Sequence, residues 1–334
     1  MQPESMRAAC FESFGPAQKV IIVGERPRPS PGTGEVLVRL RTSGVNPSDV
    51  KKRAGSFPNL LADGYVIPNS DGAGVIEAVG AGVASERVGE RVWVYQAQYG
   101  RRFGTAAEYV ALDECRAVRL PDNASFETGA CLGIPVMTAH RCVFADGPVD
   151  GRVVLVTGGA GRVGYYAVQW AKSAGAKVIA SASTSEDEQA CRAIGADHVI
   201  NHREAGWGRR VKELNGGVPI DRVVDVEFGA NLTEVLDCIR IGGTIATYSS
   251  TQVREPKLPF YRMMYLDLTV RLVIVYAMPE PAKEQATADI TRFLTEERLQ
   301  HRVASVVPLG ELAHASELIE QGGVRGCVVV NVEA

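Results

Sequence analysis

The sequence predicts an α/β protein of two parts, a small partly open antiparallel β-barrel and a doubly wound parallel sheet. Three observations carry that expectation. The first third holds short β-like runs broken by Gly and Pro, with no long amphipathic helix before residue 120. From Arg152 onward, strand-like and helix-like runs alternate. Between the first of those strands and its helix stands a glycine-rich turn, "GGAGRVG" at 158–164.

Taken in order, "EVLVRLRTSGV" (35–45) alternates, "DGAGVIEAVG" (71–80) is β-like between glycines, and "ERVWVYQA" (90–97) follows. "FETGACLGIPVMTAHRCVF" (126–144) reads as a helix kinked at Pro135. The series then runs "RVVLVT" (152–157) with a helix from Val163, and "KVIASA" (177–182) with a helix from about Glu186. "DHVI" (197–200) leads to a helix ending near Leu214, and "DRVVDV" (221–226) to one through Leu232 to Ile239. "GTIATYS" (243–249) and "LTVRLVIVYA" (268–277) close the series. A helix near 282–297, "RVASVVPL" (302–309), a helix near 311–321 and "GCVVVNV" (326–332) are expected to return to the first part. The expected domains are 1–126, completed by 278–334, and 127–277.

Composition excludes several classes. The chain has 334 residues, 46% hydrophobic and 22% charged, with a formal charge of -3, which favours neither nucleic acid nor an anionic membrane. No apolar run has the length of a signal peptide or membrane span, so a cytoplasmic protein is expected. Seven cysteines are scattered singly, against a disulfide framework and against a structural zinc.

The turn contains G-x-G-x-x-G at Gly159, Gly161 and Gly164, after a strand and at the opening of a helix. In that context it suits a dinucleotide: Gly159 for the sharp turn, Gly161 for backbone approach to a pyrophosphate, Gly164 for close helix–strand packing. Backbone N–H groups at the helix start, including those of Arg162 and Val163, suit an anion. An NAD site carries Asp or Glu at the end of the second strand, whereas here the strand runs into Ser183 and Thr184. Small hydroxyl residues there, with His202 and Arg203 after the next strand, leave room and charge for a 2′-phosphate, so NADP is expected. The acids at 186–188 are explained by a helix start, with Ser185 and Glu188 as a capping box.

With these motifs in order, the sequence resembles the zinc-independent quinone oxidoreductases, the ζ-crystallin-like branch of the medium-chain dehydrogenase/reductase superfamily. The matching stretches are "GVNPSDVKKRAG" (44–55), "IPNSDGAGVIEAVG" (67–80), "ERVWVY" (90–95), "GIPVMTAHR" (133–141), "VLVTGGAGRVG" (154–164), "GADHVINHRE" (195–204) and "GGTIATYSS" (242–250). The resemblance implies a GroES-like first domain, an inserted Rossmann domain, NADPH in the cleft between them, and reduction of a quinone or an activated enone. The zinc branch of the superfamily places catalytic ligands at two stations, which here read Asn46 and Asn69-Ser70-Asp71. That set lacks the Cys and His that zinc prefers.

The resemblance further implies that Asn46 hydrogen-bonds the substrate carbonyl or the nicotinamide ribose; a backbone-capping Asn before Pro47 is the structural alternative. Thr138, Ser249 and the Val275–Met278 stretch, with Tyr276 and Met278, are implied as cofactor contacts, with helix or sheet packing as the alternative for each. Relatives carry a Tyr where this chain has Lys51 and a second Gly where it has Arg162. Lys51 can polarise an oxyanion as a cation, although "KKR" (51–53) also reads as a solvated charge run. Two rival functions remain at this point: a zinc-free alcohol or aldehyde dehydrogenase, and a catalytically idle NADP(H)-binding structural or RNA-binding protein. A homodimer paired through "LTVRLVIVYA" is expected, with Arg271 facing outward or finding a partner.

Overall fold

The computed structural model describes residues 4–333. The chain divides into two compact units, one running to Ile134 and resuming at Thr287, the other Pro135–Ala286. These junctions fall at 134/135 and 286/287, where the sequence suggested 126/127 and 277/278.

In the first unit, β1 (Ser5–Cys10) and β2 (Ile22–Pro27) pair antiparallel, with α1 (Ala17–Val20) between them in sequence. β3 (Glu35–Val45) is the central strand of the larger sheet, and Pro47, whose missing N–H costs nothing at a helix start, opens α2 (Pro47–Arg53). β4 (Asp71–Val79), β5 (Arg91–Val94), β6 (Tyr109–Asp113) and β7 (Ala117–Arg119) follow, then α3 (Phe126–Gly129). β4 and β6 both pair antiparallel with β3. Val36, Val38 and Leu40 of β3 are buried with Ile76, Val92, Val94, Val110 and Leu112. Leu37 is buried as well, so the strand is covered on both faces there, and Arg39 is the exposed residue of that stretch.

The 126–144 segment is not one kinked helix. Between α3 and α4 (Met137–Phe144), Pro135 sits in a π turn, Leu132–Val136. The wider turn accommodates a residue with no N–H to give and a ring that would strike the preceding turn of an α-helix.

The second unit alternates as expected: β8 (Val153–Val156), α5 (Arg162–Ser173), β9 (Lys177–Ala182), α6 (Ser185–Ala193), β10 (His198–Asn201) and α7 (Trp207–Leu214). It continues through β11 (Ile220–Asp225), α8 (Phe228–Cys238), β12 (Ile239–Thr247), α9 (Phe260–Tyr265) and β13 (Thr269–Leu272). These six strands are all parallel, in the order β10-β9-β8-β11-β12-β13. The order reverses between β8 and β11, the switch point where ligands bind doubly wound sheets.

"LTVRLVIVYA" is strand only over β13; a 3₁₀ turn, Val275–Ala277, follows. Its partner β12 ends at Thr247, whose carbonyl accepts the last bond from Val273 N at 2.7 Å, so the ladder has nothing further to pair with. Arg271 does find a partner, in Asp146, to which Nε donates at 2.7 Å. α9 went unseen in the sequence because its six residues are too few to display a helical period.

α10 (Glu280–Thr295), β14 (Val303–Pro308), α11 (Leu312–Gln321) and β15 (Cys327–Asn331) complete the chain. β15 pairs antiparallel with β3 and parallel with β14, so the tail does return to the first unit. The resulting seven-stranded sheet therefore contains one parallel pair rather than being wholly antiparallel. Among the described residues no helix is long and apolar enough to cross a membrane.

Arg222 of β11 ties the second unit together: its guanidinium donates to the carbonyls of Val143, Gly147 (3.1 Å) and Asp146 (2.6 Å), closing the carboxyl end of α4. Replacing it by Met would leave those carbonyls without their donor. We expect Arg222→Met to lower unfolding free energy by about 3 kcal/mol in urea titration; an unchanged midpoint would count against this role.

Candidate functional site

The glycine turn opens α5 at the carboxyl end of β8. Gly161 is the N-cap and makes no side-chain cap hydrogen bond, a helix start of the kind that suits an anion. The glycine roles differ in detail from those the sequence suggested. The left-handed turn is made by Gly158, at φ 62°, not by Gly159. A Cβ on Gly159 would stand 2.8 Å from Ala180 Cβ and 2.9 Å from Cys191 Sγ, so this glycine serves packing against β9 and α6. Gly164 presses on the Gly158 carbonyl, with which any side chain there would collide. Val163 is half-buried in the first turn, beside Arg162.

Ser181, wholly buried in β9, accepts from Gly158 N at 2.9 Å and lies 3.3 Å from His202 Nδ1. The turn and His202 are thereby held by one hydroxyl. His202 N also reaches the Ala182 carbonyl at 3.4 Å, which sets this residue beside the end of β9. Ser183 is half-buried there and Thr184 exposed. The cap of α6 is Thr184, whose hydroxyl accepts from Asp187 N at 3.1 Å; Ser185 and Glu188 do not form the box suggested by the sequence. Glu188 instead accepts from Arg192 one turn on, at 2.9 Å.

Across the switch point, Asp225 ends β11 and accepts from Thr157 Oγ1 at 2.6 Å and Asn231 Nδ2 at 2.8 Å. Burial raises its pKa. Glu227 accepts from the N–H groups of Thr251 and Gln252, both at 2.9 Å, and so shapes the loop after Ser249. Ser249 Oγ lies 3.1 Å from Thr251 Oγ1. Thr138 is buried in the first turn of α4, while Tyr276 and Met278 are buried in and just after the 3₁₀ turn.

The first unit assembles a second group of polar residues. Asn46, the N-cap of α2, donates from Nδ2 to Asp71 Oδ2 at 2.9 Å, and the same oxygen accepts from Ile134 N at 2.7 Å. Asp71 has no exposed surface, and its Oδ1 lies so close to Gly133 that a side chain there would collide with it. Burial raises the Asp71 carboxyl from 3.8 to about 8, with the neighbouring Asp49 carboxylate adding to the rise. Asp49 accepts from Asn46 N at 2.9 Å and is itself raised by burial to about 6.

Lys51 is exposed on α2. "KKR" is not a solvated charge run, however: Lys52 is 5% exposed and Arg53 is buried, donating to the Gly15 carbonyl and pairing with Glu320. Lys52, Asp49 and Asp71 are the residues that sequence reasoning missed as a group. The signal available was the Asp three positions after an N-cap Asn; nothing local marks which of two adjacent lysines turns inward.

Two family models match the chain, "Alcohol dehydrogenase GroES-like domain" over residues 32–122 and "Zinc-binding dehydrogenase" over 163–292. A quinone oxidoreductase of Pongo abelii is 30% identical over 329 residues, 97% of each chain. The chain belongs to the quinone oxidoreductase family of the medium-chain dehydrogenase/reductase superfamily. Among solved structures, a mycobacterial protein complexed with NADPH is 26% identical, with a TM-score of 0.85 over 98% of this chain and 100% of that one. An NAD-dependent alcohol dehydrogenase is 30% identical, with a TM-score of 0.86 over 98% and 100%. The chain is thus an oxidoreductase with a GroES-like and a Rossmann-like domain.

The family description names zinc, and the donor chemistry of this chain does not fit it. The two stations present an amide nitrogen already given to a carboxyl, a hydroxyl bonded by an ammonium, and that carboxyl itself. Among the described residues no three His, Cys, Asp or Glu side chains come together to hold a metal.

A buried carboxyl that keeps its proton up to about pH 8 makes folding pH-dependent. Its folded value lies above the unfolded 3.8, so its stabilising contribution is complete below that pH and is lost as pH rises through about 8. Unfolding free energy measured across this range should therefore decline with pH, and Asp71→Asn, which carries no proton to lose, should flatten the decline. An identical slope in both proteins would refute the assignment.

Proposed function

We propose that this enzyme is an NADPH-dependent, zinc-independent reductase of quinones or α,β-unsaturated carbonyls. The observation that carries the reading is the Asn46–Asp71 pair at the zinc stations. An unactivated carbonyl requires a Lewis acid or strong proton donor, whereas a quinone or enone accepts hydride with only hydrogen-bonding help. The Asn46 amide, which Asp71 holds through Nδ2, is the group proposed to meet a substrate oxygen as negative charge develops on it.

The residues of the second unit suit the cofactor. The uncapped start of α5, with Gly161, Arg162, Val163 and Gly164, would hold the pyrophosphate. Ser183, Thr184 and His202 would hold a 2′-phosphate; the end of β9 offers no carboxylate to grip a free ribose hydroxyl. Thr138, Ser249, Tyr276 and Met278 are proposed to contact the nicotinamide half. When bound, NADPH supplies a hydride from its nicotinamide ring. The quinone oxidoreductase relatives and the NADPH-bound neighbour support this reading.

We also propose a homodimer formed along the exposed edge of the six-stranded sheet. β13 is the terminal strand, and Leu272 on it is 77% exposed. Ile274, Phe260, Tyr261 and Tyr265 are exposed nearby in sequence. An unpaired edge with apolar side chains is suited to a second copy of itself.

Titration of the apoprotein should show NADPH binding tighter than NADH by at least about tenfold, or 1.4 kcal/mol; the reverse order would overturn the NADP assignment. NADPH oxidation with a panel of small quinones and enones should show turnover, and none with any of them would favour an idle binding protein. In active protein, Asn46→Ala should cost about 100-fold in kcat/KM. Wild-type kcat/KM should fall as pH rises through about 8, where Asp71 becomes an anion beside the amide that must meet negative charge. Size-exclusion should find a dimer that Leu272→Glu converts to monomer; a wild-type monomer would remove the dimer proposal.

A further inference from the structure

Of the two adjacent lysines of α2, one side chain is in solvent and the other is enclosed. Lysine is almost never buried without partners, because an ammonium removed from water must recover its hydration from protein groups. Lys52 Nζ donates to the Gln98 carbonyl at 2.9 Å and to Ser70 Oγ at 3.3 Å. Ser70 in turn hydrogen-bonds the Asp49 carboxyl, and Asp49 Oδ2 accepts from Asn46 N at 2.9 Å. A hydroxyl that accepts from an ammonium turns its own proton toward the carboxylate, so the donors converge on Asp49, Ser70 from one side and the Asn46 backbone N–H from the other.

We propose that Lys52 is a positioning residue for Asn46, acting through Ser70 and Asp49. The proposal rests on the reading of Asn46 as the group that meets substrate. Two anchors orient this residue: Asp71 holds its side-chain amide and Asp49 holds its backbone. The charged groups that face Lys52 are Asp49 from its own helix and Asp71 from β4. Both carboxyls are buried, and the ammonium is the positive charge that favours ionised Asp49. Without it, Asp49 becomes a protonated acid, a poorer acceptor for the Asn46 amide.

Lys52→Met keeps most of the side-chain volume and removes the charge. In the full-length protein we expect kcat/KM for a quinone or enone to fall by about tenfold or more, with the NADPH Kd unchanged within about twofold. The alkaline limb of the pH profile should move to lower pH, because a neutral Asp49 no longer raises the Asp71 carboxyl and this outweighs the loss of the cation itself, and Lys52→Arg should restore its position in large part. The infrared carbonyl band of protonated carboxyl at neutral pH should gain a component in Lys52→Met that Asp49→Asn removes. Should Lys52→Met fail to fold, Ser70→Ala interrupts the same relay with the ammonium retained, and should move the pH limb and the band in the same direction. An unmoved limb and band in whichever variant folds would overturn the proposal. If wild-type protein reduces no quinone or enone, the functional reading falls by itself, and the infrared band alone decides whether Lys52 controls Asp49.

Discussion

A single hydrogen bond, from the Asn46 amide to the Asp71 carboxyl, organises the first unit's site. It is strong for a physical reason: Asp71 has no exposed surface, so water neither competes for the bond nor screens it. The same enclosure makes the carboxyl reluctant to ionise and brings the backbone of Gly133 and Ile134 against it. Close glycine contact, an N-cap and a strand start are thereby combined around one side chain. β3 makes this possible, since it carries Asn46 at its end and pairs with β4, which begins at Asp71.

The second unit is proposed to meet a different demand, that of receiving a nucleotide's pyrophosphate at the start of a helix. Its means are backbone geometry. Gly158 takes the left-handed turn, Gly159 and Gly164 allow strand, turn and helix to approach closely, and the helix start is left without a side-chain cap. Ser181 links this turn to His202, so that the turn and the residue proposed to read a 2′-phosphate are positioned together. Structural economy of this kind also appears at Arg222, a buried cation whose partners are mostly carbonyls rather than carboxylates.

Much of the fold was legible before any coordinates. Short apolar runs between turn residues marked the strands of the second unit, of which β8, β9 and β11 are buried on both faces, and a period of about 3.6 marked its helices. Pattern failed for β13, whose apolar run outlasts its pairing partner, and for α9, too short to show a period. It misassigned the segment around Pro135, where a π turn absorbs the proline within a helical stretch. At the candidate site, the glycine motif was visible but the labour of its glycines was not. Gly158 takes the positive φ, and Gly159 is required by contact with Ala180 and Cys191, residues brought close only by folding.

From the sequence alone came the order of elements, the nucleotide-suited turn, the absence of a thiol or imidazole donor set at the zinc stations, and Asn46 as the residue to watch. Those are local matters of pattern and of side-chain chemistry. Tertiary structure alone decided that Lys52 and not Lys51 turns inward, that Asp49 and Asp71 lie together beside Asn46, and that Asp71 is sealed from water. Charge states and orientations of this sort depend on burial, and burial is set by strands and loops far apart in the chain.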